Sequence, residues 1–410
     1  MSLFSSYGLS VSTVRLLTQA SHEAFSSTPA LSGWSDTTFN NRLTGASATV
    51  FRSQSQPNTY ILAFRGTDDA QDVAVYPLLT TGQYLNLFDP LLKSLPSGAN
   101  YYVTGASLGG GAVNLLAEVA DTAYGGKFAN AKFVALASPN ISNANGIVNI
   151  GFENDPIYKV LDAYENEPSS LDNLVLATHD YMTGNYDGRH PYDDYAHSME
   201  KWLEALHGLE QSAYQDRMRP DSVVVFAATG ETIKDITPGR ASTGAFYIGR
   251  ATADTMVGRE GNDFLEGFGA ADTLWGKGGR DNLQGGTGND RLNGGSGNDT
   301  LTGGPDRDAF IFDTTPKATQ NVDSIKDFVA ADDTIRLENS IFKGLSKTGT
   351  LTLSAFHLGT AAADLSDRVI YDRSTGSLYY DADGIGVAAQ VKFAVLLNKP
   401  LISYQDFFAI

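Results

Sequence analysis

The 410-residue sequence predicts an α/β chain in three parts: an α/β half, a parallel β-roll and a β-rich C-terminal region. Three observations predict it. An aspartate falls on every ninth residue from Asp254 to Asp308. An apolar strand beginning at Tyr101 runs into Gly105-x-Ser107-x-Gly109 and then into a helix-like stretch. The 42 glycines exceed average usage and cluster late, within the periodic stretch. The length suits two domains and a tail better than one core, with boundaries expected at 1–240, 241–312 and 313–410.

Composition narrows the function before any motif does. With 47 acidic against 29 basic residues, the formal charge is −18 and the pI near 4.6. That sign repels phosphate backbones and attracts cations, which argues against a nucleic-acid partner. The absence of cysteine excludes disulfides and thiolate ligands, so a metal must be held by oxygen or histidine. The opening Met-Ser-Leu-Phe-Ser-Ser-Tyr lacks the charged start and apolar run of a secretory signal, and no apolar stretch approaches the roughly 18 residues of a membrane span. A soluble chain is expected, which if exported uses a route that does not read an N-terminal signal.

In the first half, Val11 to Phe25 reads as a helix, with no role assigned beyond packing, and Ala48 to Phe51 and Tyr60 to Phe64 as strands across a Gln56-Pro57-Asn58 turn. The second strand ends in Phe64-Arg65-Gly66-Thr67. Tyr101 to Gly109, followed by Gly110 to Ala120, reads as strand, tight elbow, helix. An exposed nucleophile on such a turn needs small neighbours, because strand and helix backbones pass close together. A bare Gly-x-Ser-x-Gly is weak evidence, and chance would place about 0.3 copies in a chain this rich in glycine; its setting between strand and helix carries the reading. Val148 to Pro156 is a strand leading to Asp155, placed to orient a histidine. The order Ser, Asp, His leaves His179, His190, His197, His207 and His357. His197, before a helix-like run to Leu206 and the strand Ser222 to Phe226, is favoured as base; His207, three residues beyond Glu204 on an exposed helix, is the alternative. Val73 to Leu95, carrying Tyr76, Leu78, Leu79, Tyr84, Leu87 and Phe88, is either an amphipathic lid or a core-packed helix.

The periodic aspartates are Asp254, Asp263, Asp272, Asp281, Asp290, Asp299 and Asp308. Two copies, Gly-Gly-Thr-Gly-Asn-Asp-Arg-Leu-Asn from Gly285 and Gly-Gly-Ser-Gly-Asn-Asp-Thr-Leu-Thr from Gly294, have the form of the RTX nonapeptide. Six residues make a turn whose glycines supply positive φ, and three make a strand whose Leu points inward. Stacked turns bring each carboxylate beside carbonyls of a neighbouring coil, an all-oxygen cage suited to Ca²⁺. Several structural calcium ions are expected, with folding coupled to their binding. The outer copies are weaker: Gly249 to Val257 has Arg-Ala-Thr-Ala in place of glycines, and Pro305 follows Gly303-Gly304.

Residues 309–410 read as short strands with turns at Asp332-Asp333, Ser374-Thr375-Gly376 and Asp381-Ala382-Asp383-Gly384, capping a solenoid that would otherwise expose a pairing edge. Asp381 and Asp383 read as a hairpin turn, since the rest of an EF-hand loop is missing. Asp406-Phe407-Phe408-Ala409-Ile410 resembles the C-terminal signal of substrates of one-step ABC exporters, although a short buried strand has the same appearance.

On these residues the chain resembles the calcium-dependent RTX lipases exported by ABC transporters, often called family I.3. The resemblance runs from about Ala48 to the C-terminus through the Phe-Arg-Gly-Thr strand, Ser107-Leu108-Gly109-Gly110, Ala137-Ser138-Pro139, Asn149 to Pro156, the repeats and the tail. It implies an α/β-hydrolase catalytic domain followed by the RTX β-roll, a Ser-Asp-His triad, and hydrolysis of acylglycerol esters at lipid surfaces. Ser107 carries over as nucleophile and Asp155 as acid, with His197 at about the family's position for the base. The Thr67 and Leu108 amides would form the oxyanion site, donors worth ~3 kcal/mol each. The tail, the repeats and the opening without a signal peptide together point to export through both membranes of a Gram-negative cell, and a monomer is expected. Ala106 stands where the family usually has histidine. The stretch from Thr67 to Ser107 is short for the family, so one of its lids is expected to be missing and no lid-associated calcium site is placed there despite Asp68, Asp69 and Asp72. The rivals are a phospholipase A1 or polyester hydrolase with the same triad, and a non-catalytic RTX surface protein with a degenerate hydrolase domain.

Overall fold

The computed structural model describes residues 4, 8–26, 28–40, 46–65, 83–106, 108–136, 147–150, 174–176, 199–218, 223–226, 232–234, 244–345 and 347–410. The chain divides into two compact units, 1–222 and 223–410.

The first unit is built on a six-stranded sheet whose order follows the chain: β1 (Trp34–Asn40), β2 (Ser47–Ser53), β3 (Thr59–Phe64), β4 (Asn100–Ala106), β5 (Lys132–Leu136) and β6 (Val148–Ile150). The first two pairings are antiparallel, and β3 to β6 run parallel. The polar edge strand β1, with Ser35, Asp36 and Thr37 exposed, ends the sheet where further pairing would invite aggregation. Helix α1 (Val11–Glu23) starts where the Ser10 side chain accepts the Thr13 amide at 3.1 Å and buries Val11, Val14, Leu17 and Ala20 along one face. It lies against β3, β4 and a later helix, Met199–Gln211. Of the candidate lid, the part from Tyr84 onward is core: Tyr84, Leu85 and Phe88 are buried, and the Phe88 ring meets that of Phe64 edge-on at 4.7 Å. The short helix Asp89–Ser94 follows it. Residues 66–82, including Asp68, Asp69 and Asp72, lie outside the described residues.

The second unit is a two-faced parallel stack. On one face Val223–Phe226, Ala245–Arg250, Phe264–Gly269, Asn282–Thr287, Thr300–Thr302, Asp323–Ile325 and Val391–Leu396 pair in parallel. On the other, Thr232–Lys234, Thr255–Val257, Thr273–Trp275, Arg291–Asn293, Ala309–Phe312, Thr334–Leu337 and Phe407–Ala409 do the same. The repeat places the residue two after each ladder aspartate inward. Leu265, Leu283, Leu301 and Ile325 therefore form one buried column, facing Met256, Leu274, Leu292, Phe310 and Ile335. The parallel pairing extends beyond the repeats at both ends. After it, the antiparallel strands Val369–Asp372, Ser377–Tyr380 and Val391–Leu396 close one side. Asp381 to Gln390 links the last two of these, in keeping with a turn. The C-terminal tail is a buried strand, with Phe407 and Ala409 inside.

Candidate functional site

Two local arrangements carry chemistry. The first is the elbow between β4 and the helix Leu108–Val119. A Cβ on Gly105 would stand 2.6 Å from the Gly109 carbonyl carbon and oxygen and 2.9 Å from the Phe64 oxygen. A Cβ on Gly109 would run into the Phe64 carbonyl itself. Three backbones therefore meet without intervening side chains: the end of β3, the end of β4 and the first turn of the helix. That contact is the physical reason for both glycines of the motif. It also brings the start of the Phe64-Arg65-Gly66-Thr67 segment beside the helix N-terminus, whose amides and dipole favour developing negative charge. Leu108 is buried at the head of that helix. Ser107, Thr67, Asp155 and His197 lie outside the described residues, as do His179 and His190. His207 sits on the exposed side of the helix Met199–Gln211, between the buried Leu206 and Leu209. His357 belongs to the second unit, with Nδ1 3.8 Å from Asp367 Oδ2.

The second arrangement is the stack of aspartate turns. All seven periodic aspartates are buried. The Oδ1 atoms form ladders in which each accepts the amide of the aspartate one coil earlier: Asp254 to Asp272 at 2.7 Å, Asp263 to Asp281 at 2.8 Å, Asp272 to Asp290 at 2.7 Å, Asp281 to Asp299 at 2.8 Å and Asp290 to Asp308 at 2.9 Å. The Oδ2 atoms of Asp272, Asp281, Asp290, Asp299 and Asp308 are buried with no hydrogen-bond partner. Burying an uncompensated carboxylate oxygen is expensive, and five in a row define a cradle for cations. Each of these oxygens lies where a Cβ on the first glycine of its own turn would be, at Gly267, Gly276, Gly285, Gly294 and Gly303. At Gly267, Gly276 and Gly285 a carbonyl oxygen of the next coil, from Gly285, Gly294 and Gly303, converges on the same point. The donors are thus carboxylate plus backbone carbonyl, the hard oxygen set that suits Ca²⁺. Among the described residues no three acidic or histidine side chains converge as a side-chain-only metal site.

Electrostatics agree with the geometry. Burial pushes the carboxyls of Asp272, Asp281 and Asp308 up to about 8, 9 and 7, and those of Asp290 and Asp299 to about 6, against the lowering effect of the ladder hydrogen bonds. Without a cation the turns favour protons on these oxygens; a divalent ion supplies the missing charge.

Sequence periodicity missed two rungs. Asp323 Oδ1 accepts the Asp299 amide at 3.1 Å and Asp333 Oδ1 the Asp308 amide at 3.0 Å, continuing both ladders after spacings of 24 and 25 residues where the repeat has 18. Asp327 accepts the amides of Gly303 and Gly304 at 3.0 and 2.9 Å. The available signal was Asp323-Ser324-Ile325 and Asp333-Thr334-Ile335, which copy the Asp299-Thr300-Leu301 unit out of register. At the C-terminal end of the repeats, the Gly303 turn keeps the geometry of its neighbours despite Pro305, with Gly304 and Asp306 both at positive φ.

Comparison with known proteins bears on the repeat segment and on the fold of the chain. The RTX calcium-binding nonapeptide repeat model matches residues 248–283 and 275–310, so this segment is an RTX repeat region that binds calcium. Two lipases of Pseudomonas fluorescens are 29% and 28% identical over 164 residues, a match covering 36% of this chain in each case. The match spans about a third of the length of those lipases, 33% and 35%. The crystal structure of the extracellular lipase LipA from Serratia marcescens is similar over 100% of this chain and 99% of its own, with a TM-score of 0.50 and 17% sequence identity. The chain shares the fold of that structure, with an α/β unit first along the chain and a parallel β-roll after it.

Proposed function

We propose that this chain is a secreted, calcium-dependent serine ester hydrolase of the lipase type, acting on acylglycerol esters. The observation that supports the reading is the three-backbone contact of Phe64, Gly105 and Gly109, the close approach that a nucleophile elbow between strand and helix requires. Likeness to an extracellular lipase along the whole chain supports it.

In the reaction, Ser107 Oγ attacks the ester carbonyl while His197 takes its proton. Asp155 orients the imidazole and offsets its charge. The tetrahedral oxyanion is held by the Thr67 and Leu108 amides; His197 then protonates the leaving alcohol, and water, activated by the same base, releases the acid. The repeat aspartates would hold calcium, whose charge offsets carboxylate repulsion in the roll; no catalytic step passes through it. The proposed division is a hydrolase part at 1–240, the repeat roll at 241–312 and a capping region at 313–410 that ends in an export signal read by an ABC transporter, with the strands Val223–Phe226 and Thr232–Lys234 at the end of the first part already pairing with the roll. The enzyme works as an extracellular monomer at an ester interface.

Hydrolysis of p-nitrophenyl esters of increasing chain length by wild type and Ser107→Ala tests this, each with calcium and with a chelator. Activity that requires both Ser107 and calcium and rises with chain length is the expected result. A calcium-folded protein inactive on every ester would instead favour a non-catalytic RTX binding protein.

A further inference from the structure

The seven periodic aspartates are not equivalent. In the five turns whose Oδ2 is unpartnered, the residue four before the aspartate is left-handed: Phe268, Lys277, Gly286, Gly295 and Gly304, with φ of 73°, 78°, 110°, 87° and 106°. In these five turns no donor reaches the Oδ2 atom, which is left facing the cradle. The first two turns are built otherwise: at Asp263 the Arg259 amide donates to Oδ2 at 2.8 Å, and at Asp254 an arginine side chain joins the backbone contact. In the Asp254 turn, Arg250 occupies the corresponding position without positive φ. Its amide donates to Asp254 Oδ2 at 2.7 Å, and its Nη2 and Nε donate to Asp254 Oδ1 at 2.6 and 3.2 Å. Both side chains are largely inside, 14% and 0% exposed.

We propose that Arg250 is a built-in cation that takes the place of calcium in the first turn, so that Asp254 holds no ion and ion-dependent folding of the roll begins further along the chain. The inference rests on the calcium reading of the repeats. A guanidinium is suited to this position: it is planar, always charged, and its fork satisfies one carboxylate with two bonds. Unlike a bound ion, it cannot be removed by a chelator. The strand Ala245–Arg250 is thereby tied to the roll by a covalent part of the chain at any calcium concentration.

The test counts calcium bound to the full chain by native mass spectrometry and titration calorimetry. Four proteins are compared: wild type, Asp254→Asn, Asp281→Asn, and the uncharged pair Arg250→Gln with Asp254→Asn. The pair guards against misfolding from a stranded guanidinium and is the deciding variant. Expected results are an unchanged ion count and calcium midpoint for the pair, and for Asp281→Asn the loss of at least one ion or a tenfold or larger rise in the midpoint. Loss of an ion in the pair, or no change in Asp281→Asn, overturns the assignment. A wild-type protein that binds no calcium would overturn the calcium reading itself.

Discussion

At the scale of single residues, glycine does two different jobs in this chain. At Gly109 it is required by space, since any side chain would strike the Phe64 carbonyl. Gly109→Ala is therefore expected to destabilise the first unit by about 1–3 kcal/mol, as overpacking does, and to reduce esterase activity through displacement of the elbow. Chemical denaturation and p-nitrophenyl ester turnover check both effects. In the roll, glycine is required by conformation, and four residues hold a left-handed backbone without being glycine: Phe268, Ala270, Lys277 and Asp306. Such residues carry a cost of order 1 kcal/mol each. Lys277→Gly is expected to raise roll stability by about that amount in calcium, read as a higher thermal midpoint. An unchanged or lower midpoint would show that the Lys277 ammonium, 5.1 Å from the Trp275 ring centroid, offsets the strain.

At the scale of elements, each three-residue strand of the roll is too short to be stable alone and depends on its column. Leu283 is the second residue of one of the longer strands, Asn282–Thr287, paired with Leu265 before it and Leu301 after it. Leu283→Ala should cost about 2–5 kcal/mol and, because neighbouring coils share the same core, should raise the calcium concentration needed to fold the whole stack. Circular dichroism along a calcium titration measures this. Several elements of the first unit were legible because local signals agreed: the first helix, the apolar strands at 48–51, 60–64 and 101–106, and the glycines bracketing position 107; the polar edge strand Trp34–Asn40 and the strand Lys132–Leu136 were not read. The segment Tyr84 to Leu95 was not decided by its sequence. Aromatic and leucine residues at helical spacing describe a lid and a core helix equally well, and only the contacts of Tyr84 and Phe88 with the sheet core assign them.

At the scale of the molecule, the roll behaves as a store of buried carboxyls whose protonation and ion binding compete. In ion-free protein the folded roll keeps protons that an unfolded chain, with carboxyls near ~4, has already released. The raised values at Asp290, Asp308, Asp272 and Asp281, from about 6 to 9, therefore give stability that is present at low pH and lost as pH rises through that range. Calcium replaces those protons. Its stabilising effect is expected to be small at pH 5 and large at pH 8, seen as the difference in thermal midpoint between calcium-loaded and calcium-free protein at each pH. An effect independent of pH would mean that the ions sit away from these oxygens.

What the sequence by itself determined was everything that recurs at fixed spacing: the nine-residue turns, the inward leucines, and the glycines around Ser107, because periodicity and steric need are local properties of a chain. The tertiary structure alone decided which aspartates keep an unpartnered oxygen. It closed the first turn with Arg250 and carried the ladder on to Asp323 and Asp333 across spacings of 24 and 25 residues. It also turned the tail into a buried strand beside Thr334–Leu337. The physical reason is the same in each case: a carboxylate's partner is set by which coil lies next to it in space, and once the repeat breaks, sequence distance no longer states which coil that is.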